Sequence, residues 1–215
     1  MEFLTVATAP AQGRYEAVFF DFDGVLADTE PVHYSCWRDI MISFGVSISW
    51  EEYRKYCIGI AERPTAEWLC RQITPPLDFD QVWAEYPRKQ LLVRERLVGK
   101  APFSPDLVCL LKSLSDYKLA VVSSSRRIEV EPAFVAGGIR PLFGAVVCGE
   151  DVERHKPAPD PYLLAARLLA VKRVLVVEDS EAGVESAEAA GLDAVRVAHA
   201  DETPGVVRAR LSGNG

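Results

Sequence analysis

One stretch constrains this chain more than any other: Val18-Phe19-Phe20-Asp21-Phe22-Asp23-Gly24-Val25-Leu26, a short apolar run that ends in two aspartates. Residues 15–20 are aromatic and β-branched and lie between Gly13 and Gly24, the pattern of a buried strand. Side chains two apart on a strand project to the same side. The carboxyl end of this strand would therefore present both acids to one crevice, where open α/β sheets bind their ligands. Two neighbouring carboxylates repel unless a cation or a shared proton separates them. Mg²⁺, a hard ion that seeks oxygen, would make sense of the pair by sitting between acid and substrate. The alternative is an Asx-type turn in which Asp and Gly only end the strand. The rest of the chain has to decide between them.

After this strand, Thr29-Glu30-Pro31 opens a helical stretch, with Thr29 able to cap it and Pro31 suited to its first turn; Gly45 closes it after Phe44. From 49 to 99 the pattern stays helical, with Trp50, Tyr53, Tyr56, Trp68, Trp83 and Leu91 spaced for amphipathic faces and Pro75-Pro76 as a break. All four tryptophans fall within 34–99, and their stripe reads as helix-packing core. No strand signal occurs there, so a separate helical unit is expected. From Pro102 onward helix and strand alternate: helix 106–115, strand 118–122, helix 126–136, strand 145–148, helix 160–170, strand 173–177, helix 180–190 and a last strand 194–197. Such alternation implies a parallel sheet covered by helices on both faces.

A chain of 215 residues, 49% hydrophobic and 26% charged, suits one moderate domain or one domain with an insertion. The net charge of −7 and the lack of a dense basic cluster argue against nucleic acid or an anionic membrane surface as a partner. Five scattered cysteines contain no Cys-x-x-Cys pair, which fits reduced cytoplasmic thiols better than a zinc site or a disulfide framework. Residues 1–14 carry Glu2 and no basic residue before their apolar stretch, so they read as a loose leader rather than a signal peptide; 212–215 read as a loose tail. No apolar run approaches the ~20 residues of a bilayer span.

The polar groups recur at one topological place, after the carboxyl end of a strand. Asp21 and Asp23 follow the first, Ser123 and Ser124 the second, and Glu178-Asp179 a later one, while Lys156 lies in the loop His155-Lys156-Pro157-Ala158-Pro159-Asp160. In a parallel sheet these ends share an edge, and carboxylates, hydroxyl, ammonium and helix N-termini would there hold a divalent metal and a phosphate together. Taken singly, Ser123 could cap the next helix, Lys156 could be a solvated loop charge, and Glu178-Asp179-Ser180 could be capping chemistry.

With these four pieces in this order, the chain resembles the haloacid dehalogenase superfamily of phosphotransferases, in the branch similar to β-phosphoglucomutase. The matching residues are Asp21-Phe22-Asp23-Gly24-Val25-Leu26-Ala27-Asp28-Thr29, then Ser123, then Lys156 in His-Lys-Pro-Ala-Pro-Asp, then Glu178-Asp179-Ser180-Glu181-Ala182-Gly183. The resemblance implies an α/β fold: a Rossmann-like parallel-sheet core (15–33 and 101–215) with an α-helical cap inserted at 34–100, hinged near 27–29 and 100–103. It implies Asp21 as nucleophile and Asp23 as general acid–base. Asp21, Asp23 (through its backbone oxygen), Glu178 (directly or through water) and Asp179 would hold Mg²⁺, and Ser123, Ser124 and Lys156 would hold the phosphoryl group. His33 matches a histidine near the substrate, although it also reads as a surface-helix residue.

Mutase relatives carry an arginine three residues after the glycine of the cap's specificity loop. Here that position is Glu62, with Arg63 one step later. The departure weakens the mutase reading and leaves Arg63 as the candidate second phosphate ligand. The expected activity is a cytoplasmic, monomeric, Mg²⁺-dependent phosphatase of small phosphorylated metabolites, most plausibly sugar phosphates. β-Phosphoglucomutase is the alternative, and a non-catalytic phosphometabolite binder stands behind both. Dehalogenase and phosphonatase chemistries fit poorly, because Asp23 is present and the cap shows no clear Schiff-base lysine.

Overall fold

The computed structural model describes residues 15–58, 60, 62–99 and 102–213. The leader 1–14, Gly59 of the cap loop, the 100–101 part of the second hinge and the last two residues of the tail lie outside the described residues.

Five parallel strands, β1 (Ala17–Phe20), β2 (Lys118–Val122), β3 (Ala145–Val147), β4 (Val174–Glu178) and β5 (Asp193–Arg196), form one sheet in the order β3-β2-β1-β4-β5. Alternation along β1 sorts the two faces, as a period of two requires. Val18 and Phe20 join Val121, Leu175 and Phe134 on one side, while Ala17 and Phe19 join Ala120, Val122 and Tyr162 on the other. The first side is covered by α6 (Pro105–Ser113), α7 (Arg127–Ala136) and α10 (Thr203–Leu211) through Leu107, Val130 and Val207. The second is covered by α8 (Asp160–Leu169) and α9 (Glu181–Ala189) through Tyr162, Ala165 and Ala187. Buried on both faces, the strands are apolar throughout, which is why they read as continuous runs. Phe134 centres the first side, edge-on to Phe22 and stacked on Phe103 and Phe143.

Between β1 and α6 the chain forms α1 (Glu30–Ser43), α2 (Trp50–Tyr56), α3 (Glu62–Cys70), α4 (Phe79–Trp83) and α5 (Tyr86–Gly99). They enclose a core of their own, built on Trp37, Met41, Tyr53, Leu69 and Val82. Both α1 and α5 also pack on the sheet's first face through Cys36, Val93 and Leu97, which seats the helical unit directly over the carboxyl end of β1.

Several expectations are corrected. The helical region from 49 to 99 is four short helices, and Trp50, Tyr56 and Leu91 are exposed rather than core. Trp50 stacks on Tyr53 and Tyr56 on Trp68, so part of the aromatic stripe is an outer layer of ring pairs. Thr29 precedes α1 but makes no capping bond; its hydroxyl is used in the site below. β5 begins at Asp193, one residue early, and the chain then adds α10 where no helix was expected. Pro204 opens α10, Arg208 pairs with Asp106 of α6 at 2.7 Å, and Thr203 donates to the Val25 carbonyl at 2.8 Å. Among the described residues no helix is long and apolar enough to cross a membrane.

Candidate active site

Asp21 continues the sheet ladder, its N–H donating to the Val177 carbonyl at 3.0 Å, so its side chain starts from the rigid centre of the sheet. The chain then turns back, with Gly24 N–H donating to the Ala27 carbonyl at 2.8 Å. Gly24 has φ +71°, and a Cβ there would overlap the Asp179 carboxylate. Only glycine lets the turn close against that acid.

Lys156 is the centre of charge. Its Nζ donates to Asp21 Oδ1 at 2.8 Å, to Glu178 Oε1 at 2.5 Å and to the Val122 carbonyl at 2.9 Å. All three ammonium donors are used. Burial opposes the charge, but Asp21 and Glu178 hold the Lys156 pKa above the ordinary lysine value. Glu178, wholly buried at the end of β4, also accepts from Tyr162 Oη at 2.5 Å, from Asp179 N–H at 3.3 Å and from Ser180 Oγ at 3.2 Å.

Asp21, Glu178 and Asp179 offer carboxylate oxygens that lie within 4.8 Å of one another. Burial, then Glu178, Asp23 and Asp179, pushes the Asp21 carboxyl well above the usual carboxylate range against the pull of Lys156. Burial, Glu178 and Asp23 push Asp179 up to about 6. Burial leads both shifts, and the neighbouring carboxylates add negative charge that one lysine does not balance. An all-oxygen donor set with surplus negative charge fits a hard divalent cation such as Mg²⁺.

Asp23 is held apart from that set. Thr29 Oγ1 donates to its Oδ1, Ser125 Oγ donates to its Oδ2 at 2.7 Å, and His33 Nε2 lies 3.9 Å from Oδ1. Its carboxylate therefore faces hydroxyls and an imidazole. Ser123 is buried and its Oγ accepts from Ser125 N–H at 3.0 Å, a local turn bond; no described group accepts its own O–H. Ser124 lines the crevice together with Ser125, Lys156 and Asp179.

The crevice opens into a cavity of about 480 Å³ whose far wall comes from the helical unit. There Glu62, at the start of α3, receives Lys89 at Oε1 and Trp37 Nε1 at Oε2, the latter at 2.8 Å. Lys89 is completely buried, and its Nζ lies 2.6 Å from His33 Nδ1 and 3.9 Å from Glu129 Oε1 of α7. An ammonium has no acceptor, so while the ring is neutral Nδ1 accepts and the proton sits on Nε2, towards Asp23. Burial and Lys89 oppose protonation of His33, but the bond and charge of Glu62, with Asp23, carry its pKa above the ordinary histidine value. Burial works against ionisation of Glu62 too; His33 and Lys89 outweigh it and hold the pKa at about 2.

The structure thus brings Asp21, Asp23, Ser124, Lys156, Asp179 and His33 to one cavity, with Glu178 and Ser123 directly behind it. It does not bring Arg63 there. That side chain points outward, its guanidinium 4.7 Å from the Phe79 ring centre and 3.7 Å from Glu67. A helix advances about 100° per residue, so the residue that faces the cavity is Glu62 and its neighbour turns away. Sequence reasoning gave no role to Ser125, Tyr162, Glu30, Glu129 or Lys89. Only Ser125, in the same Ser-Ser-Ser run, carried a usable signal.

Comparison with known proteins agrees with this geometry. The family model described as haloacid dehalogenase-like hydrolase matches residues 18–197. The chain is 34% identical over 190 residues to the fructose-1-phosphate phosphatase YqaB of Escherichia coli, covering 86% of this chain and 97% of that one. It is 30% identical over 182 residues to a phosphorylated carbohydrates phosphatase of Thermotoga maritima, covering 84% and 83%. Among solved structures it resembles CbbY of Rhodobacter sphaeroides in complex with xylulose-(1,5)bisphosphate, with TM-score 0.69, 26% identity and 84% of each chain covered.

Proposed function

The chain belongs to the haloacid dehalogenase-like hydrolases, and from that premise we propose that it is a Mg²⁺-dependent phosphatase of small phosphorylated metabolites, sugar phosphates foremost, acting through a phosphorylated Asp21. One observation carries the reading: the Lys156 ammonium bridges Asp21 and Glu178 at the carboxyl edge of the sheet, while Asp23, two residues from Asp21, is oriented separately by Thr29 and Ser125. Nucleophile and proton carrier are thereby given different partners.

In this mechanism Asp21 attacks phosphorus in line with the leaving oxygen, and the ester bond breaks as the acyl-phosphate bond forms. Asp23 gives its proton to the departing alkoxide, then takes one from the water that cleaves the acyl-phosphate. Lys156 sets its positive charge beside the phosphoryl oxygens, and the Ser124 hydroxyl at the crevice, with Ser123 behind it, steadies them while charge redistributes. Asp21, Asp179, the Asp23 backbone oxygen and Glu178 directly or through water would hold Mg²⁺, which would supply the positive charge that lets an anionic acid approach an anionic ester. Residues 34–100 serve as the cap that limits access, and five free cysteines, four of them buried, support a cytoplasmic setting. Transfer within a hexose phosphate, as in a mutase, would need a second phosphate cradle, and Arg63 faces away from the cavity.

Phosphate release from a panel of phosphorylated metabolites, with and without a chelator, tests the reading. Turnover should require a divalent cation and vanish in Asp21→Asn. Asp23→Asn should accumulate a phosphorylated chain, visible by intact mass. Retained turnover in Asp21→Asn would refute the assignment.

A further inference from the structure

We infer that the cap wall reads a hydroxyl on the carbon next to the phosphorylated one and turns away a second phosphate, so that the substrates are monophosphate esters of neutral polyols. This deepens the phosphatase reading and rests on it.

The position comes from the His33 ring. Its Nε2 lies 3.9 Å from Asp23 Oδ1 and its Nδ1 lies 3.2 Å from Glu62 Oε1. Asp23 and Glu62 thus face the two nitrogens of one imidazole ring, a span that a leaving oxygen and the hydroxyl on the neighbouring carbon bridge with one hydrogen bond at each end. A carboxylate offers about four lone-pair sites. Lys89 and His33 face Oε1 and Trp37 takes one site of Oε2, which leaves an acceptor site for a substrate hydroxyl. Glu30, at the start of α1, lines the same cavity and accepts no hydrogen bond among the described residues. Its neighbours on the wall, Tyr53, Thr65 and Tyr86, are uncharged.

The cations that could welcome a second phosphate are committed. Lys89 is wholly buried among Glu62, His33 and Glu129, two carboxylates around one ammonium, while Glu30 adds a further acid to the cavity wall. Arg63 is turned onto Phe79 and Glu67, and Arg126 is exposed and does not line the cavity. Among the described lining residues the one permanent cation is Lys156, which is held by Asp21 and Glu178. The cavity, about 480 Å³, has room for a sugar-sized group. Charge, not space, makes the exclusion.

The experiment measures kcat/KM for two matched pairs: fructose 1-phosphate against fructose 1,6-bisphosphate, and glycerol 3-phosphate against propyl phosphate. Wild type, Glu62→Gln and Glu30→Gln are compared. Wild type should favour the first member of each pair at least about tenfold, a scale set by like charges across a partly solvated cavity and by one charge-assisted hydrogen bond. Glu62→Gln should erode the preference for glycerol 3-phosphate. Because it leaves Lys89 with one carboxylate fewer, Glu30→Gln, which breaks no bond, is the second variant; measured at about pH 8, where a Glu30 carboxyl pushed up to about 7 is ionised, it should narrow the bisphosphate penalty by about threefold or more. Equal turnover within the pairs, or ratios unmoved by Glu30→Gln, overturns the inference and leaves the phosphatase reading standing. If no ester releases phosphate, the phosphatase reading falls, and binding to Asp21→Asn by calorimetry decides the rest. Tighter binding of fructose 1-phosphate supports the selectivity, and equal or tighter binding of the bisphosphate refutes it.

Discussion

Ser125→Ala isolates the orientation of Asp23 from the rest of the site. Ser125 Oγ donates to Asp23 Oδ2 at 2.7 Å, whereas the serine's structural bonds are made by its backbone: N–H to Ser123 Oγ at 3.0 Å and carbonyl from Gly149 N–H at 3.1 Å. Alanine keeps both backbone bonds and loses only the hydroxyl. A hydrogen bond to a charged group contributes about 1.5–3 kcal/mol. Ser125 is half-buried and lines the cavity, so water replaces part of that bond and the lower end applies. At 1.4 kcal/mol per factor of ten, kcat/KM should fall about ten- to thirtyfold. The loss should depend on the leaving group. In the proposed mechanism an alkyl phosphate needs a proton from Asp23 as the ester breaks, whereas p-nitrophenolate leaves without one. Because kcat/KM reports steps only through leaving-group departure, the later role of Asp23 with water does not blur the comparison. The assay is kcat/KM for glycerol 3-phosphate and p-nitrophenyl phosphate in wild type and variant, with thermal denaturation alongside. Equal losses on the two substrates, or no loss on the alkyl ester, would refute the assignment of Asp23 as proton donor held by Ser125.

Lys156→Met removes the single cation from between two buried carboxylates and should cost about 3–5 kcal/mol, lowering Tm by roughly 10 °C for a chain of this size; a drop below 2 °C by calorimetry would contradict the drawn triad. Gly183→Ala places a Cβ into the Glu178 carboxylate and should abolish turnover and lower Tm, whereas Gly205→Ala, in α10 with open space around it, should spare both. Burial, with Asp23 and Glu62, pushes Glu30 from the ordinary 4.5 up to about 7 against the pull of His33. The folded chain thus holds this proton more tightly than the unfolded one. The stability so gained is complete below pH 4.5 and disappears as pH rises to 7. Denaturant titrations of Glu30→Gln should show a flatter decline across that window than wild type, and parallel curves would count against it.

The core was legible because each buried strand carries its own apolar run and each helix its own stops, all short-range signals. The order of the four motif pieces sufficed to place Asp21, Lys156 and Asp179 at one mouth, since a parallel sheet has one carboxyl edge. What escaped was long-range or a matter of side-chain choice. Thr29 stands where an N-cap belongs, yet its backbone is already helical (φ −93°, ψ −15°) rather than extended as a capping residue's is, and its hydroxyl serves Asp23 instead. Tyr162 looks like any helix aromatic until α8 folds it under Glu178. Lys89 and Arg88 are equivalent on paper. A helical turn places Lys89 inside, against Glu62 and His33, and leaves Arg88 outside with Glu85.

The sheet order accounts for why the site sits where it does. The chain lays β2 and β3 to one side of β1 and then crosses to lay β4 and β5 on the other. The loops after β1, β2 and β4 thereby meet without any one having to cross another, and the insertion after β1 leaves the sheet at that same point. Its helices can reach the crevice only from above, which sets His33 and Glu62 against Asp23. Burying this much charge costs stability, because removing carboxylates from water is expensive unless each is paired and hydrogen-bonded. The aromatic packing of Phe22, Phe103, Phe134 and Phe143 forms a floor that begins at Phe22, the residue between the two aspartates, and offsets part of that cost. A looser floor would let the acids move apart and relieve their repulsion, and the affinity for a cation would fall with it. The prediction is that Phe134→Leu, at a cost of about 1–3 kcal/mol in packing, raises the Mg²⁺ concentration needed for half-maximal turnover although the ring touches none of the acids; an unchanged Mg²⁺ requirement in a destabilised variant would show that the site holds its geometry independently of the floor.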